Sequence, residues 1–400
     1  MTESNPDKNS RLRIIVLGDM VRRPLGDMVW GPLQYVMGLS RLGHDVCYLV
    51  DSLDYPDCFN PIRNTTSEDP AHGLAFMSRT LTRFGHWDRW AYHYAHTGAW
   101  HGPASDRVRE LASTADALIN VSAVGELRPW LMDIPARVFV DTNPGATQTR
   151  MLTDPEFDAR IASHNQWSTF GGNINMAGCR VPAAGIDWRP TRQPVVMDAW
   201  PVTPAPPLGL ITAFQPWERP AAGTREAGRG PAPENLFKVM DLPEATGAAL
   251  EVLLRGPDAP RGFFESRGWR ARDALDVSLV PMSYQRYVHE SRAALCVATP
   301  AQAWSNSGRL PAGAEVFLAS GRPVMAQDTG LSSRLPVGEG LLAYASPEEA
   351  AECVRDVNGK YARHSGAARE LAEAYFDSRR VLSEMLEAVT SRAPIGAPVR

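Results

Sequence analysis

The sequence predicts an α/β protein made of two doubly wound halves. Short apolar, β-branched runs that stop at Gly or Asp alternate with helical patterns, and a Pro-rich segment divides them into two series. The first unit comprises a strand Arg13–Gly18, a helix Trp30–Leu42 that ends at Gly43, and a strand His44–Val50. A strand, a helix followed by Gly, and a second strand are typical of a βαβ unit. The 400 residues suit two domains of roughly 100–200 residues each.

The rest of the first half continues this rhythm after an aromatic stretch. We expect a helix around residues 71–96 and another at Val108–Thr114. Strands are predicted at Ala117–Ser122 and at Arg137–Asp141, which ends in an acidic residue. The segment Pro194–Pro207 contains five prolines, so neither a helix nor a central strand fits it, and we interpret it as an interdomain linker.

A second α/β series follows this linker. A helix Ala312–Ser320 precedes the last predicted strand, and the tail Pro347–Ala388 has a strongly helical composition. The insert Arg219–Pro233 is rich in Gly, Pro, Ala and Arg, which predicts a mobile loop. The strands predicted for this half are Leu208–Phe214, Ala249–Leu254, Val277–Val280, Ala293–Val297 and Pro323–Ala326.

These patterns predict the domain boundaries and the place of a binding site. We expect a disordered tail at 1–12, a Rossmann-like domain at 13–197, a linker at 198–207, a second Rossmann-like domain with terminal helices at 208–388, and a tail at 389–400. Doubly wound sheets bind ligands beyond the carboxyl ends of their strands. Two such domains joined by one linker form a cleft that suits a reaction between two substrates.

Composition narrows the class of protein. The net charge of −4, with 44% hydrophobic and 22% charged residues, is ordinary for a globular protein and argues against nucleic acid or an anionic membrane as the partner. No apolar run approaches the roughly 18–20 residues that span a bilayer, and Met1–Ser10 lacks the apolar core of a secretory signal. The five scattered cysteines predict reduced thiols rather than a metal site or a disulfide framework, so we expect a cytoplasmic protein. A homodimer stays an open possibility.

In the second half, small and polar residues suggest a phosphate site. The segment Ser305, Asn306, Ser307, Gly308 and Arg309 follows an apolar strand and precedes a helix, where free N–H groups and the helix dipole favour a diphosphate. An ordinary Ser/Asn helix cap is the alternative. Glu315 either accepts hydrogen bonds from a ribose diol or is a solvated surface residue. The turn of Asp328, Thr329 and Gly330 is expected beside the same pocket.

In the first half, three residues are candidates for catalysis. Asp27 follows the first strand and is either a general base or the N-cap of the next helix. Asp141 lies at the carboxyl end of a strand, where an Asx turn competes with a catalytic role. His164 either contacts a phosphate or hydroxyl group or is structural. Gly18 and Gly26 flank the loop after the first strand and would let a substrate or donor phosphates approach the backbone.

The segments Leu39–Val46 and Gly321–Val324 resemble those of GT-B glycosyltransferases. More closely, the chain is similar to a group of largely uncharacterised bacterial glycosyltransferase-like proteins, and this resemblance covers nearly the whole chain after residue 12. Its most specific part is Ser305–Leu341. Matching segments are Gln34–Val46, Asn120–Ser122, Asp141–Pro144, Thr169–Gly171, Trp188–Val195, Ser305–Gly308, Phe317–Val324, Gln327–Gly330, Leu335–Leu341 and Ala368–Phe376.

The resemblance implies two Rossmann-like domains that face each other across a cleft. Residues 13–197 would bind the acceptor and residues 208–388 the nucleotide sugar. It implies transfer of a sugar from a nucleoside diphosphate sugar to a small-molecule acceptor, without a metal or other cofactor. The aromatic residues of 84–101 and the unusual donor pocket would fit an enzyme of specialised-metabolite (antibiotic) biosynthesis.

The chain departs from the group at several charged positions. Ala294 and Thr299 replace an acidic residue and a lysine, Ala312 and Gly313 replace an Asp-Arg pair, and Val316 stands where retaining enzymes have the ribose-binding glutamate. Arg309, Arg322 or arginines of the 219–229 segment are the candidates to compensate. These departures keep open a catalytically degenerate protein that binds a ligand or partner. A nucleotide-sugar epimerase is a third hypothesis.

Overall fold

The computed structural model describes residues 11–53, 57–122, 124–204, 209–216, 234–256 and 259–390. The predicted tails and the Pro-rich segment are therefore described only in part, and the predicted mobile loop at Arg219–Pro233 lies outside the described residues. The elements of the first half, in chain order, are β1 Arg13–Gly18, α1 Gly26–Arg41, β2 Asp45–Asp51, β3 Cys58–Asn60, β4 Thr65–Ser67, α2 Ala71–Arg83, β5 Trp90–Tyr94, β6 Ala99–His101, α3 Val108–Ser113, β7 Ala117–Val121, β8 Ala136–Asp141, α4 Ala146–Thr153, α5 Pro155–Ala162, β9 Gln166–Thr169 and β10 Arg189–Pro190.

The second half continues this alternation of strands and helices. Its elements are β11 Ile211–Pro216, α6 Glu234–Lys238, α7 Leu242–Thr246, β12 Leu250–Arg255, α8 Arg261–Glu265, β13 Arg270–Asp273, α9 Leu275–Ser278, α10 Pro281–Glu290, β14 Ala293–Cys296, α11 Pro300–Ser305, α12 Ala314–Ala319, β15 Val324–Gln327, β16 Leu341–Tyr344, α13 Pro347–Gly359, α14 Tyr361–Phe376 and α15 Ser378–Thr390.

Each half is built on its own sheet. The first sheet has the order β10-β9-β8-β7-β1-β2-β5-β6 and is parallel except for β6, which runs antiparallel to β5. The second sheet has the order β13-β12-β11-β14-β15-β16 and is parallel throughout. The strand order reverses beside β1 in the first sheet and beside β11 in the second. Since crevices for ligands open at such switch points, the carboxyl ends of β1, β7 and β14 are where a site is expected.

The α/β rhythm of the sequence reflects burial on both faces of each sheet. Ile14, Val16, Ile119 and Val140 of the first sheet are completely buried or nearly so, as are Val252 and Leu254 of the second. Strands covered by helices on both sides need apolar residues at successive positions, which explains the continuous apolar runs. The two-domain α/β fold predicted from the sequence is confirmed.

Contacts between the halves surround Trp200, which is fully buried. Its ring packs on Trp30 of α1 at a centroid distance of 4.6 Å and on Tyr284 of α10 at 6.4 Å. The indole N–H of Trp30 also donates to the carbonyl of Pro281, 3.0 Å away. The terminal helix α15 returns to the first half and packs against α1. The described part of the Pro-rich segment is thus packed between the halves.

Two secondary-structure predictions are wrong. The helix around residues 71–96 ends at Arg83, and Trp90–Tyr94 forms the strand β5 instead. The strand predicted at Val277–Val280 is wrong because α9 occupies Leu275–Ser278 and the neighbouring strand is Arg270–Asp273. Short apolar runs do not distinguish a buried strand from a buried helix, which explains the second error. No described helix has both the length and the apolar character that a membrane span needs.

Candidate functional site

A cavity of about 850 Å³ opens between the two halves. Its walls include the carboxyl ends of β1 and β7 through Gly18 and Ser122, and that of β14 through Cys296 and Val297. The cavity therefore lies at the switch points of both sheets, where doubly wound proteins bind their ligands. Its volume falls in the range of small-molecule sites, which is roughly 300–1,000 Å³.

The cavity is strongly basic although the chain carries a net charge of −4. Arginines outnumber carboxylates on its described walls, and both halves of the molecule contribute them. Such a wall concentrates positive potential in an enclosed space and favours anionic ligands. The arginines are Arg22, Arg23, Arg150, Arg160, Arg192, Arg255, Arg309 and Arg334, and the carboxylate residues are Asp19, Asp27 and Glu315.

The predicted base Asp27 is paired with an arginine of the opposite half. Asp27 lies in the first turn of α1, after the cap residue Leu25, so it is neither the N-cap nor part of the loop that the sequence suggested. Its Oδ2 atom lies 2.7 Å from Nη2 of Arg255, the last residue of β12. The two side chains are 11% and 9% exposed. This ion pair bridges the halves at the cavity wall.

Gly308–Glu315 forms the wall of the cavity in the second half. Arg309 reaches across to Asn143 of the first half, with Nη1 donating to Oδ1 at 3.2 Å, and burial lowers its pKa. Burial also raises the pKa of Glu315 to about 7, while the N–H of Gly313 and the charge of Arg309 oppose that rise. Glu315 is therefore not a solvated surface residue. Gly313, the cap residue before α12, adopts a left-handed conformation with φ of 86°, and α12 itself is shorter than predicted.

Five arginines of the first half line the cavity, and one of them is Arg192. We call the other four the arginine cluster: Arg22 and Arg23 after β1, Arg150 in α4 and Arg160 in α5. Arg22 and Arg23 share the carboxylate of Asp57, with Nε of Arg22 at 2.8 Å and Nη2 of Arg23 at 2.6 Å.

The other two members of the arginine cluster differ in their partners. Arg150 pairs with Asp154 at 3.1 Å and stacks on the ring of Phe157. The guanidinium of Arg160 has neither a hydrogen bond nor an ion pair with any described residue. Its donors are therefore available to a ligand in the cavity.

The predicted phosphate segment serves mainly as a contact between the halves. Asn173 of the first half donates from its backbone to the carbonyl of Ser307 at 2.9 Å and from its side chain to Asn306 and Gly330 carbonyls at 3.1 Å. Ser305 accepts from the N–H of Arg180. Of the predicted segment, Gly308 and Arg309 line the cavity, whereas Ser305, Asn306 and Ser307 do not.

The turn of Asp328, Thr329 and Gly330 also lies outside the cavity wall. It supports the neighbouring segment, because the Thr329 carbonyl accepts from the N–H of Gly308 at 2.9 Å. Gly330 has a φ of 86°, and a side chain there would meet Asn306 and Asn173. The turn thus positions the second-half wall rather than contacting the cavity itself.

Close packing explains why the two residues that flank the loop after β1, Gly18 and Gly26, are glycine. A Cβ on Gly18 would lie 1.9 Å from the hydroxyl of Tyr48, although Gly18 does line the cavity. A Cβ on Gly26 would lie 2.3 Å from the carbonyl of Val280, so Gly26 allows close contact between the halves and does not line the cavity.

The structure does not bring Asp141 and His164 to the cavity wall. Asp141 is fully buried and accepts hydrogen bonds from Thr147, Gln148 and Thr169, an Asx-type structural role. His164 accepts from Asn120 at 3.1 Å and donates to helix carbonyls. Burial lowers its pKa to about 4, so it is a neutral core residue.

Arg322 does not compensate for missing charge in the cavity. Its side chain is completely buried and donates to Thr203 and to the carbonyl of His289. It therefore ties the segment before residue 205 to the second half.

Comparisons with solved structures show the fold. An α-glucosyltransferase in complex with UDP and a 13-mer DNA containing a HMU base matches with a TM-score of 0.58 at 11% identity, covering 96% of this chain and 100% of the other. Anabaena Alr3699/HepE in complex with UDP-glucose matches with a TM-score of 0.56 at 11% identity, over 95% and 100%. AviGT4, a glycosyltransferase involved in avilamycin A biosynthesis, matches with a TM-score of 0.51 at 14% identity, over 94% and 97%.

The chain has the GT-B fold. No protein-family model and no curated sequence matches it. The GT-B arrangement explains why the cavity takes its walls from both sheets, because two Rossmann-like halves face each other across it.

Sequence reasoning found Arg309 but missed the other arginines that give this GT-B cleft its charge. Arg22 and Arg23 are adjacent in the loop after the first predicted strand, and Arg255 ends another strand. Both places are carboxyl ends of strands, so strand-end position was a usable signal. Arg150 and Arg160 lie on helices with no motif, and only the fold brings them to the cavity.

Proposed function

We propose that the protein is a glycosyltransferase that takes a sugar from a nucleoside diphosphate sugar. The observation that supports this most is a basic cavity at the switch points of two GT-B halves, with Arg309 and the backbone of Gly308–Gly313 on one wall. Two of the similar structures hold UDP or UDP-glucose. A nucleoside diphosphate is the ligand that this geometry and charge suit.

Arg309 and Arg255 are the groups that would stabilise the leaving diphosphate. Both line the cavity in the second half, and guanidinium groups bind phosphate oxygens with two parallel hydrogen bonds. Fixed positive charge beside a leaving diphosphate can replace the charge that a metal ion supplies in other enzymes. We therefore propose a metal-independent reaction.

Glu315 is placed to bind a sugar hydroxyl. It lines the cavity one residue before the position usual for the ribose-binding glutamate, and its pKa of about 7 lets it exist in both forms near neutrality. As a carboxylate it accepts hydrogen bonds from a diol, and as an acid it accepts fewer. Donor affinity should therefore rise as the pH increases through about 7.

Asp27 is the candidate base for the acceptor hydroxyl. In the structure its carboxylate is held by Arg255. A bound diphosphate gives Arg255 a second anionic partner, so donor binding would loosen its hold on Asp27. In this account the base becomes available only when the donor is present, which limits wasteful hydrolysis.

The acceptor is proposed to be a small molecule, since the cavity is enclosed by both halves and about 850 Å³ in volume. A role in specialised metabolism rests only on the likeness to AviGT4 and stays a prediction. A cytoplasmic location and a homodimer also stay predictions.

Isothermal titration calorimetry with UDP, dTDP and GDP tests the proposal. We expect one of them to bind the full-length protein, and Arg309→Gln to weaken that binding while the exposed control Arg363→Gln does not. Absence of binding by all three at millimolar concentration would contradict a transferase. Binding without any sugar transfer would favour the degenerate protein, and isomerisation of the donor sugar without an acceptor would favour the epimerase.

A further inference from the structure

The arginine cluster belongs to the first half, whereas the proposed diphosphate site belongs to the second half. Its members come from the loop after β1 and from α4 and α5 of the first half. The Gly308–Glu315 wall belongs to the second half. Two basic sites in one cavity suggest two anionic ligands, and a single nucleotide sugar accounts for only one of them.

Within the described part of the chain, one member of the arginine cluster, Arg160, has no carboxylate partner. Arg22 and Arg23, which are 9% and 8% exposed, share Asp57, while Arg160 has no carboxylate within ion-pair distance. Burial lowers the pKa of Arg160, and the like charges of Arg150 and Arg22 add to that effect, whereas Glu126 and Asp154 oppose it. Keeping a partly buried cation beside others costs free energy unless an anion binds there.

The chemistry of the arginine cluster favours a phosphate over a carboxylate. A phosphate monoester has three terminal oxygens and a charge of about −1.5 to −2 at neutral pH, so several guanidinium groups can share it. A carboxylate offers two oxygens and one charge. Arg150 is already oriented by Asp154 and Phe157, which reduces the entropy lost when it binds a ligand.

We propose that the acceptor is a small molecule that carries a phosphate group, bound by the arginine cluster through Arg160 and its neighbours. The role of this ligand as acceptor rests on the proposed glycosyltransferase function, whereas the anion site itself does not depend on that function. Arg22 and Arg23 are too buried for the backbone of a DNA duplex to reach. A free small molecule therefore fits better than the nucleic acid present in one similar structure.

Calorimetry on the full-length protein tests this site with inorganic phosphate, glucose 6-phosphate, glucuronate and glucose as probes, each with and without saturating UDP. We expect both phosphate probes to bind in the presence of UDP, and glucuronate and glucose to bind much more weakly. Arg160→Gln should weaken phosphate binding by about tenfold or more, as expected for one charged hydrogen-bond donor. Arg160→Lys, which keeps the charge, should recover part of the affinity.

The controls separate this inference from the proposed function. Arg160→Gln should change UDP affinity by less than about twofold, because Arg160 is not among the residues proposed to bind the diphosphate. Arg363→Gln should change the binding of neither ligand. Unaltered UDP binding also shows that the variant folds. If phosphate binds and UDP does not, the anion site stands and the transferase proposal fails.

Four results would overturn the inference. They are no binding of either phosphate probe at millimolar concentration, complete displacement of phosphate by UDP, equal binding by Arg160→Gln, and glucuronate binding as tightly as glucose 6-phosphate. Binding of a 13-base-pair DNA duplex that is lost in Arg160→Gln would instead assign the cluster to nucleic acid.

Discussion

The two walls of the cavity carry charge in different ways. The first-half wall carries Arg192 and the four members of the arginine cluster, and one of these four, Arg160, lacks a side-chain partner among the described residues. The second-half wall combines three arginines, Arg255, Arg309 and Arg334, with backbone groups. It also holds the carboxyl of Glu315, whose pKa is raised to about 7. The difference suggests that the first wall selects a charged acceptor, while the second binds a donor through both diphosphate and hydroxyl groups.

The ion pair that joins the walls should give the largest effect. Arg255→Gln leaves the Asp27 carboxylate almost buried without its cation, and breaking such a pair costs about 3–5 kcal/mol of unfolding free energy. Chemical denaturation at neutral pH measures this change. The double variant Asp27→Asn with Arg255→Gln should recover much of the loss. If the single variant is as stable as the wild type, the two walls are not coupled through this pair.

Glu315 should make the second wall sensitive to pH. Because its pKa is about 7 in the folded protein and about 4.5 when unfolded, the folded state holds a proton that the unfolded state has lost between these values. The free energy of unfolding of the wild type therefore falls as the pH rises from about 4.5 to about 7. Relative to the wild type, Glu315→Gln should gain up to about 3 kcal/mol of unfolding free energy between pH 4 and pH 8.

Thermal or chemical unfolding of both proteins at these two pH values measures the difference. A difference between the Glu315 variant and wild type that is constant with pH would mean that Glu315 is ionised throughout.

The variant Arg309→Gln tests whether the two walls bind different ligands. Loss of one charged hydrogen-bond donor should weaken nucleoside diphosphate binding by about 1.5–3 kcal/mol, with little effect on phosphate binding at the arginine cluster. Calorimetry with UDP and then inorganic phosphate measures both. An equal loss for the two ligands would show that the cavity is a single anion site with no division between walls.

His164→Gln should give the smallest functional effect, because His164 lies in the core and not on either wall. Losing its hydrogen bonds should cost about 1–2 kcal/mol of unfolding free energy, while release of the nucleoside diphosphate from the donor continues at the wild-type rate. A steady-state assay of the folded variant checks this. A rate loss of about 100-fold or more would restore the catalytic role that the sequence suggested.

Local patterns predicted the fold well and the site only in part. The strand at Arg13–Gly18 and the helix after it were visible because burial and helical periodicity act over a few residues. The role of Ser305–Ser307 was not visible, because a polar segment before a helix looks the same whether a phosphate or another part of the chain satisfies it. Here Asn173 of the other half does so.

The charge of the cavity was hidden for a similar reason. A net charge of −4 reports the whole surface, whereas the cavity gathers arginines that lie up to about 312 residues apart, from Arg22 to Arg334. Asp141 ends the strand β8 and Asp27 lies in the first turn of α1, yet only Asp27 reaches the cavity. The hydrogen bonds that turn Asp141 inward come from Gln148 and Thr169, which only the folded chain brings together.

The most direct test of the two-wall account is a crystal structure of the protein with bound UDP. We expect the diphosphate to contact Arg309 and the backbone of Gly308–Gly313, with the ribose near Glu315. The space beside Arg160 and Arg150 should stay free for the acceptor. A diphosphate bound among Arg22, Arg150 and Arg160 instead would contradict it.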